Sequence, residues 1–200
     1  MPDLVAVKVG GSLYDLADLG PRLCRWLDTD ERVRPPAQLV FVPGGGPAVD
    51  VIRNLDRRHS LGEERSHWLA LATLTLNAHF LAALLPSAEV VQEVRPDGSR
   101  LRIVDPFAYL REDERRRGTV AVPHVWTATS DAVAALIAVR TGARRLVLCK
   151  SVTVPAGQMD WEEAGRRGLV DPHFASILPI GSPGLEVSVV NLRHWPDGEW

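Results

Sequence analysis

The chain reads as an α/β domain on a mainly parallel sheet, and two features carry that reading. Short apolar runs alternate with longer stretches of helical spacing, the order expected of strand–helix–strand units. Three of the apolar runs end in glycine-rich or charged turns: Lys8-Val9-Gly10-Gly11-Ser12, Pro43-Gly44-Gly45-Gly46 and Cys149-Lys150-Ser151. Open α/β sheets hold their ligands at such strand ends. The 200 residues show no repeat, low-complexity tract or linker, so residues 1–200 are expected to form a single domain.

Each element has its own signal. Residues 4–9 form an apolar strand broken by Lys8. Leu13, Leu16, Leu19, Leu23, Trp26 and Leu27 fall at helical spacing over residues 13–28, with Pro21 as a start or kink. Residues 32–36 are a polar loop and residues 39–42 a second strand. From Pro47 to about Arg57 a helix follows, with proline in its first turn. Residues 66–85 form the longest helical pattern, apolar on nearly all faces and therefore expected to be buried in the domain or against another subunit. Residues 88–94 and 101–104 read as strands joined in a hairpin through Pro96-Asp97-Gly98. Asp105-Pro106 opens a short helix that closes on the charged run 111–117, and residues 119–122 read as another strand. Residues 130–141 form a helix with Ser130 as N-cap and Gly142 past its end. A buried strand over 146–149 reaches Lys150. Past Pro155 a short helix near 161–167 and a strand over 185–190 finish the chain.

Composition narrows the function classes. With 46% hydrophobic and 24% charged residues, the chain is neither disordered nor collagenous nor a disulfide scaffold. The net charge is −2 and no basic block exceeds Arg115-Arg116-Arg117, which argues against a nucleic-acid partner. No apolar run reaches the roughly 18 residues of a membrane span, and Met1-Pro2-Asp3-Leu4 lacks the basic start of a signal peptide. Cys24 and Cys149 have no metal or redox spacing. A reducing cytoplasm is the expected setting, without a membrane partner.

The 23 basic residues are 21 arginines and two lysines, Lys8 and Lys150. A position that stays lysine in such a chain points to a need for a compact ammonium that a guanidinium fork does not replace. Both lysines end predicted strands beside glycine or serine turns whose successive N–H groups suit phosphate oxygens. Gly44-Gly45-Gly46 opens a helix whose N-terminus favours an anion, and Thr129-Ser130-Asp131 sets a carboxylate at another helix start. Neither G-x-x-x-x-G-K-[ST] nor G-x-G-x-x-G after a strand occurs, nor a protein-kinase motif set. The remaining chemistry is phosphoryl transfer by positioning and charge: two lysines flanking a migrating phosphoryl group, glycine amides around it, and a carboxylate holding the lysines.

Lys8-Val9-Gly10-Gly11-Ser12, Pro43-Gly44-Gly45-Gly46, and Thr129-Ser130-Asp131 followed by Ala134-Ala135 and Lys150 together resemble the amino acid kinase superfamily, over residues 4 to about 152. The resemblance implies a three-layer αβα sandwich using ATP and Mg2+. It implies that Lys8 neutralises the transferring phosphoryl group, that Lys150 acts from the nucleotide side and that Asp131 orients both. Gly10, Gly11, Ser12 and Ser151 would contact ATP phosphates, and Gly44, Gly45 and Gly46 the acceptor. It also implies dimers or dimer-based hexamers, and the long apolar helix over 66–85 is the expected interface. Within the superfamily, Pro-Gly-Gly-Gly-Pro, His67-Trp68, Lys150-Ser151-Val152 and Val170-Asp171-Pro172-His173-Phe174 are most similar to the [5-(aminomethyl)furan-3-yl]methyl phosphate kinase branch of methanofuran biosynthesis and its relatives in one-carbon metabolism. Isopentenyl phosphate, a nucleoside monophosphate or an amino-acid carboxylate are the rival acceptors, and an ATP-binding storage protein of the same fold is the rival from another class.

A phosphorylated acceptor calls for arginines near Gly44–Gly46, and Arg53, Arg57 and Arg58 follow on the next helix. His59 and His67 are candidate donors to the same phosphate. Asp50 or Asp171 could meet an acceptor ammonium, Asp171 equally serving as a cap for a helix starting at Pro172. Trp126 is a candidate wall for a flat ring. His124 and His173 have no zinc spacing, and no metal ligands are assigned.

Overall fold

The computed structural model describes residues 3–94, 99–154, 159–178 and 184–195. Six strands, β1 (Leu4–Val9), β2 (Gln38–Pro43), β3 (Glu89–Val91), β4 (Leu101–Val104), β5 (Arg145–Lys150) and β6 (Glu186–Asn191), form one sheet in the order β3-β4-β2-β1-β5-β6. Every pairing is parallel. A parallel sheet is covered on both faces, so its central strands are apolar throughout rather than alternating, and β1 and β2 are buried from their second residue on. The expected α/β sandwich is therefore present.

Strand alternation sorts the core into two layers. Val5, Val7, Val9, Phe41, Val147 and Cys149 face one side, where α1 (Leu19–Thr29) packs through Leu19, Leu23 and Trp26. Ala6, Val40, Val42, Leu146 and Leu148 face the other, covered by α5 (Ser130–Thr141), whose residues 131–139 are all buried. The remaining helices are α2 (Gly46–His59), α3 (Glu63–Leu84), α4 (Pro106–Arg117), α6 (Trp161–Arg166) and α7 (Phe174–Ile177). By length and composition α3 is long and apolar enough to cross a membrane, which the sequence expectation of no such run missed. It instead contributes Leu71 and Leu74 to one core layer and Ala78 and Leu81 to the other. Ser66, His67 and Asn77 are buried on it as well.

Four local expectations are corrected. The helix expected over 13–28 begins only at Leu19. The chain first makes a short 3-10 turn, Gly11–Leu13, that buries Leu13, and Pro21 then sits in the first turn of α1, where its missing N–H costs nothing. β3 and β4 pair in parallel, not as a hairpin; the proposed turn residues Pro96-Asp97-Gly98 lie outside the described residues. Residues 119–122 are not a strand. Val120 is exposed while Val122 packs under the helical layer, so the β-branched run serves as a covering loop. The N-cap of α5 is Thr129, one residue before the expected Ser130; Gly142 ends the helix in the left-handed conformation as expected.

Candidate active site

Sheet register brings the two lysines together. Lys8 pairs with Leu148 across β1 and β5, so Lys150, two residues on, lies diagonally beside Lys8 on the same face. That face is covered by α5, whose first turn carries Asp131. Lys8 Nζ lies 2.8 Å from Asp131 Oδ1 and Lys150 Nζ 2.7 Å from Asp131 Oδ2. One carboxylate thus bridges both ammonium groups, and all three side chains are at most 13% exposed. Burial works against the Asp131 charge, yet the two lysines outweigh it and hold its pKa below the ordinary carboxylate value. Burial, then repulsion from Lys8, pulls the Lys150 pKa down, with Asp131 opposing. Two cations and one anion leave this buried centre with one unit of positive charge, an arrangement completed by an anionic ligand.

The glycines fit the first two turns against each other. A Cβ on Gly11 would lie 2.2 Å from the Gly46 nitrogen, and one on Gly44 would lie 2.4 Å from the Gly11 nitrogen. Only residues without side chains allow backbones this close. Gly46 also has φ +55°, which opens α2. The Gly10 N–H donates to Cys149 O at 2.8 Å, and the Ser12 and Ser151 hydroxyls are hydrogen-bonded at 2.8 Å, so the third turn joins the first two. Two residues that the sequence reading did not single out hold the glycines in place. Asn77, buried on α3, donates to the carbonyls of Gly44 and Gly45, each at 2.8 Å. The Tyr14 hydroxyl accepts from Gly44 N–H at 2.9 Å, and burial drives its pKa far above the ordinary phenol value. Neither residue carries a local pattern; each is recognisable only once α3 and the 3-10 turn are folded onto the loop.

Asp171 fixes the start of α5. Its Oδ2 accepts from Thr129 N–H, Thr129 Oγ1–H and Ala132 N–H at 2.8–3.0 Å, and its Oδ1 from His173 N–H at 3.0 Å. The carboxylate therefore supports Asp131 through the helix end rather than meeting an acceptor ammonium, and α7 begins later, at Phe174. Burial raises the Asp171 pKa, its hydrogen bonds opposing.

Beside the glycine turns opens a cavity of about 520 Å3, lined by Gly11, Ser12, Gly45, Gly46 and the starting residues Thr129 and Ser130 of α5. Its apolar wall is Val49, Ala70, Leu71, Leu74 and Val133, and its polar groups include Asp15, Asp50, Arg53 and Arg193. The size and mixed lining suit a small molecule. Arg53 lies here, paired with Asp50 at 2.9 Å and stacked over Trp126 at 5.4 Å, and Trp126 itself lines the cavity, anchored by its N–H to Asp56 at 2.7 Å. Arg57 is hydrogen-bonded to Asn54 and lines a smaller neighbouring groove instead. Arg58 and His59 sit in the exposed last turn of α2, away from the cavity lining. His67 contributes to the wall, but its ring stacks on His124 at 4.9 Å and its Nε2 is sealed from solvent without a partner. Burial and His124 lower the His67 pKa to about 4, so any contact of this candidate donor with a phosphate would come from a neutral ring. Among the described residues no group of three or more His, Cys, Asp or Glu is placed to hold a metal ion.

No protein-family profile matches the chain. A curated relative, the [5-(aminomethyl)furan-3-yl]methyl phosphate kinase of Methanocaldococcus jannaschii, is 24% identical over 149 residues, 73% of this chain. The chain spans 65% of the length of that relative. Among solved structures, UMP kinase from Ureaplasma parvum superposes with a TM-score of 0.63 over 96% of this chain and 90% of its own at 13% identity. Uridylate kinase from Archaeoglobus fulgidus gives 0.57 over 88% and 85% at 17% identity. Aspartate kinase from Synechocystis gives 0.61 over 97% of this chain and 39% of its own at 15% identity. The chain has the amino acid kinase fold, as the resemblance of its motifs implies.

Proposed function

We propose that this chain is a kinase that transfers the γ-phosphoryl group of ATP to a small phosphomonoester, with [5-(aminomethyl)furan-3-yl]methyl phosphate as its acceptor. The observation that carries the reading is the Asp131 bridge between the only two lysines of the chain, buried with one positive charge in excess. A γ-phosphoryl group in transit spreads negative charge over its equatorial oxygens, and fixed cations in a water-poor site stabilise that charge more than they stabilise the ground state. Lys8 and Lys150 supply those cations, and Asp131 holds them apart so that neither has to reorganise during transfer. The interlocked turns at Gly11 and Gly44–Gly46 offer backbone N–H groups to phosphate oxygens. An oxygen of the acceptor phosphate attacks the γ-phosphorus, the bond to the β–γ bridging oxygen breaks, and ADP leaves while a phosphoanhydride forms.

The cavity beside the turns is the acceptor site, with its apolar wall for the body of the molecule and Arg53 for its phosphate. The methanofuran-pathway relative supports the choice of acceptor. Mg2+ would shield the nucleotide phosphates; it takes most of its oxygen ligands from phosphate and water, with Asp50 a cavity carboxylate on hand. The exposed stripe Leu69, Leu76 and Phe80 on α3, with Val51 and Leu55 on α2, supports a homo-oligomer through these helices. The two free cysteines agree with a cytoplasmic setting.

The test is ADP formation from Mg-ATP against a panel of the aminomethylfuran methyl phosphate, isopentenyl phosphate, UMP and N-acetylglutamate. Turnover with the furan phosphate alone is expected. Turnover with another member would replace the acceptor and keep the transfer chemistry. ATP binding with no turnover would favour a storage protein.

A further inference from the structure

The segment that follows β6 places an arginine at the phosphate turn. β6 pairs with β5 so that Asn191 lies opposite Lys150, and the next residue, Leu192, donates its N–H to Lys150 O at 2.9 Å. Leu192 is fully buried. Arg22 on α1 grips this segment from behind, donating to the carbonyls of Leu192, Arg193 and Trp195. The backbone at residue 193 is thereby pinned beside the strand end that carries Lys150, and its side chain turns the other way. The Arg193 guanidinium donates to Ser12 O and to Asp15 Oδ1, each at 2.7 Å, and lines the same cavity as Gly11, Ser12 and Gly46.

We propose that Arg193 is a phosphate-contacting residue of the site, held in reserve by Asp15 and handed to a ligand phosphate at the Gly11–Ser12 turn. The inference rests on the kinase reading above. Asp15 is 64% exposed, and ion pairs of that exposure are weak and easily exchanged. A phosphate offers the planar guanidinium a bidentate partner of higher charge. The anchor to Ser12 O keeps the side chain at the turn while Asp15 is displaced. The Arg22 grip means that the backbone has nothing to reorder, so the contact is pre-positioned.

Calorimetric titration with two probes tests this: Mg with the non-hydrolysable ATP analogue AMP-PNP for nucleotide phosphates, and inorganic phosphate for the acceptor phosphate. Arg193→Gln is expected to weaken one of them by about 10- to 100-fold, and the probe that weakens identifies the phosphate contacted. Asp15→Asn, which frees the guanidinium, is expected to bind that probe more tightly. If Arg193 is only a latch between the chain end and the 3-10 turn, both substitutions lower the melting temperature and shift binding in the same direction, which overturns the proposal. Unchanged binding of both probes by Arg193→Gln also overturns it. Wild-type protein that binds neither probe would sink the kinase reading itself.

Discussion

The Lys8–Asp131–Lys150 centre and the cavity proposed for the acceptor sit side by side and are built on opposite principles. Lys8 and Lys150 are fixed by sheet register, Asp131 by the capped start of a largely buried helix, and the three are locked by short ion pairs out of water. The cavity is assembled from α2, α3, the loop before α5 and the segment after β6. Its charged groups are half-exposed and paired with neighbours that a ligand can displace. Charge stabilisation requires a site that does not rearrange, whereas acceptor recognition tolerates a wall that can be rebuilt. Substitutions in the first region are therefore expected to cost more than those in the second.

That contrast sets the order of expected effects. Asp131→Asn should be the most damaging, since it leaves two buried ammonium groups facing each other. Unpairing a buried charge costs about 3–5 kcal/mol, and turnover should fall by about 10³-fold or more; urea unfolding and ADP release measure the two. Next comes Gly11→Ala, whose methyl group meets the backbone of Gly46 at 2.2 Å. Forcing the two turns apart should cost about 1–3 kcal/mol and weaken AMP-PNP binding measurably by calorimetry. In the cavity, Arg53→Gln should raise the acceptor KM by about tenfold with kcat nearly kept. Arg57→Gln, which removes only an exposed contact with Asn54, should leave both constants alone in the same steady-state assay. Equal losses from Arg53 and Asp131 substitutions would erase the distinction between the regions.

The pH dependence sharpens it further. Burial and Lys8 pull the Lys150 pKa down, so in the free protein Lys150 loses its proton below the ordinary lysine range. The alkaline limb of kcat/KM should therefore lie below that range. A bound phosphate favours the charged form, so the alkaline limb of kcat should lie higher than that of kcat/KM. For stability the sign follows from Asp131, whose pKa is depressed on folding. Its contribution is complete above the unfolded carboxyl value and is lost as pH falls through the lower folded value. Coincident alkaline limbs for kcat and kcat/KM would contradict a phosphate bound at Lys150.

The same contrast explains what the sequence made legible. Strand parity and turn chemistry are local, so Lys8, Gly10-Gly11-Ser12, Gly44–Gly46, Asp131 and Lys150 stand out from the order of residues alone, and the fold gathers them at one end of the sheet. Asn77, Tyr14 and Arg193 matter through contacts between elements 33, 30 and 181 residues apart in sequence, and no spacing rule points to them. The hairpin expected through Pro96-Asp97-Gly98 fails for a related reason. A turn signal is local, but strand direction follows from which edge of the sheet is open, and β3 takes the edge beside β4 in parallel. His67 does lie at the cavity, yet burial and the neighbouring His124 hold its ring neutral, so it brings no charge to a phosphate.

In the proposed reaction, two lysines bridged by one aspartate carry the transfer. Lys150→Arg tests it most directly, because the charge is kept and only the compact ammonium that meets Asp131 at 2.7 Å is lost. With the acceptor that the wild-type protein uses, ADP formation by this variant should fall by about 10³-fold, while the melting curve remains cooperative. Near-normal turnover would show that a guanidinium serves equally well and that the Asp131 bridge is not what drives the reaction.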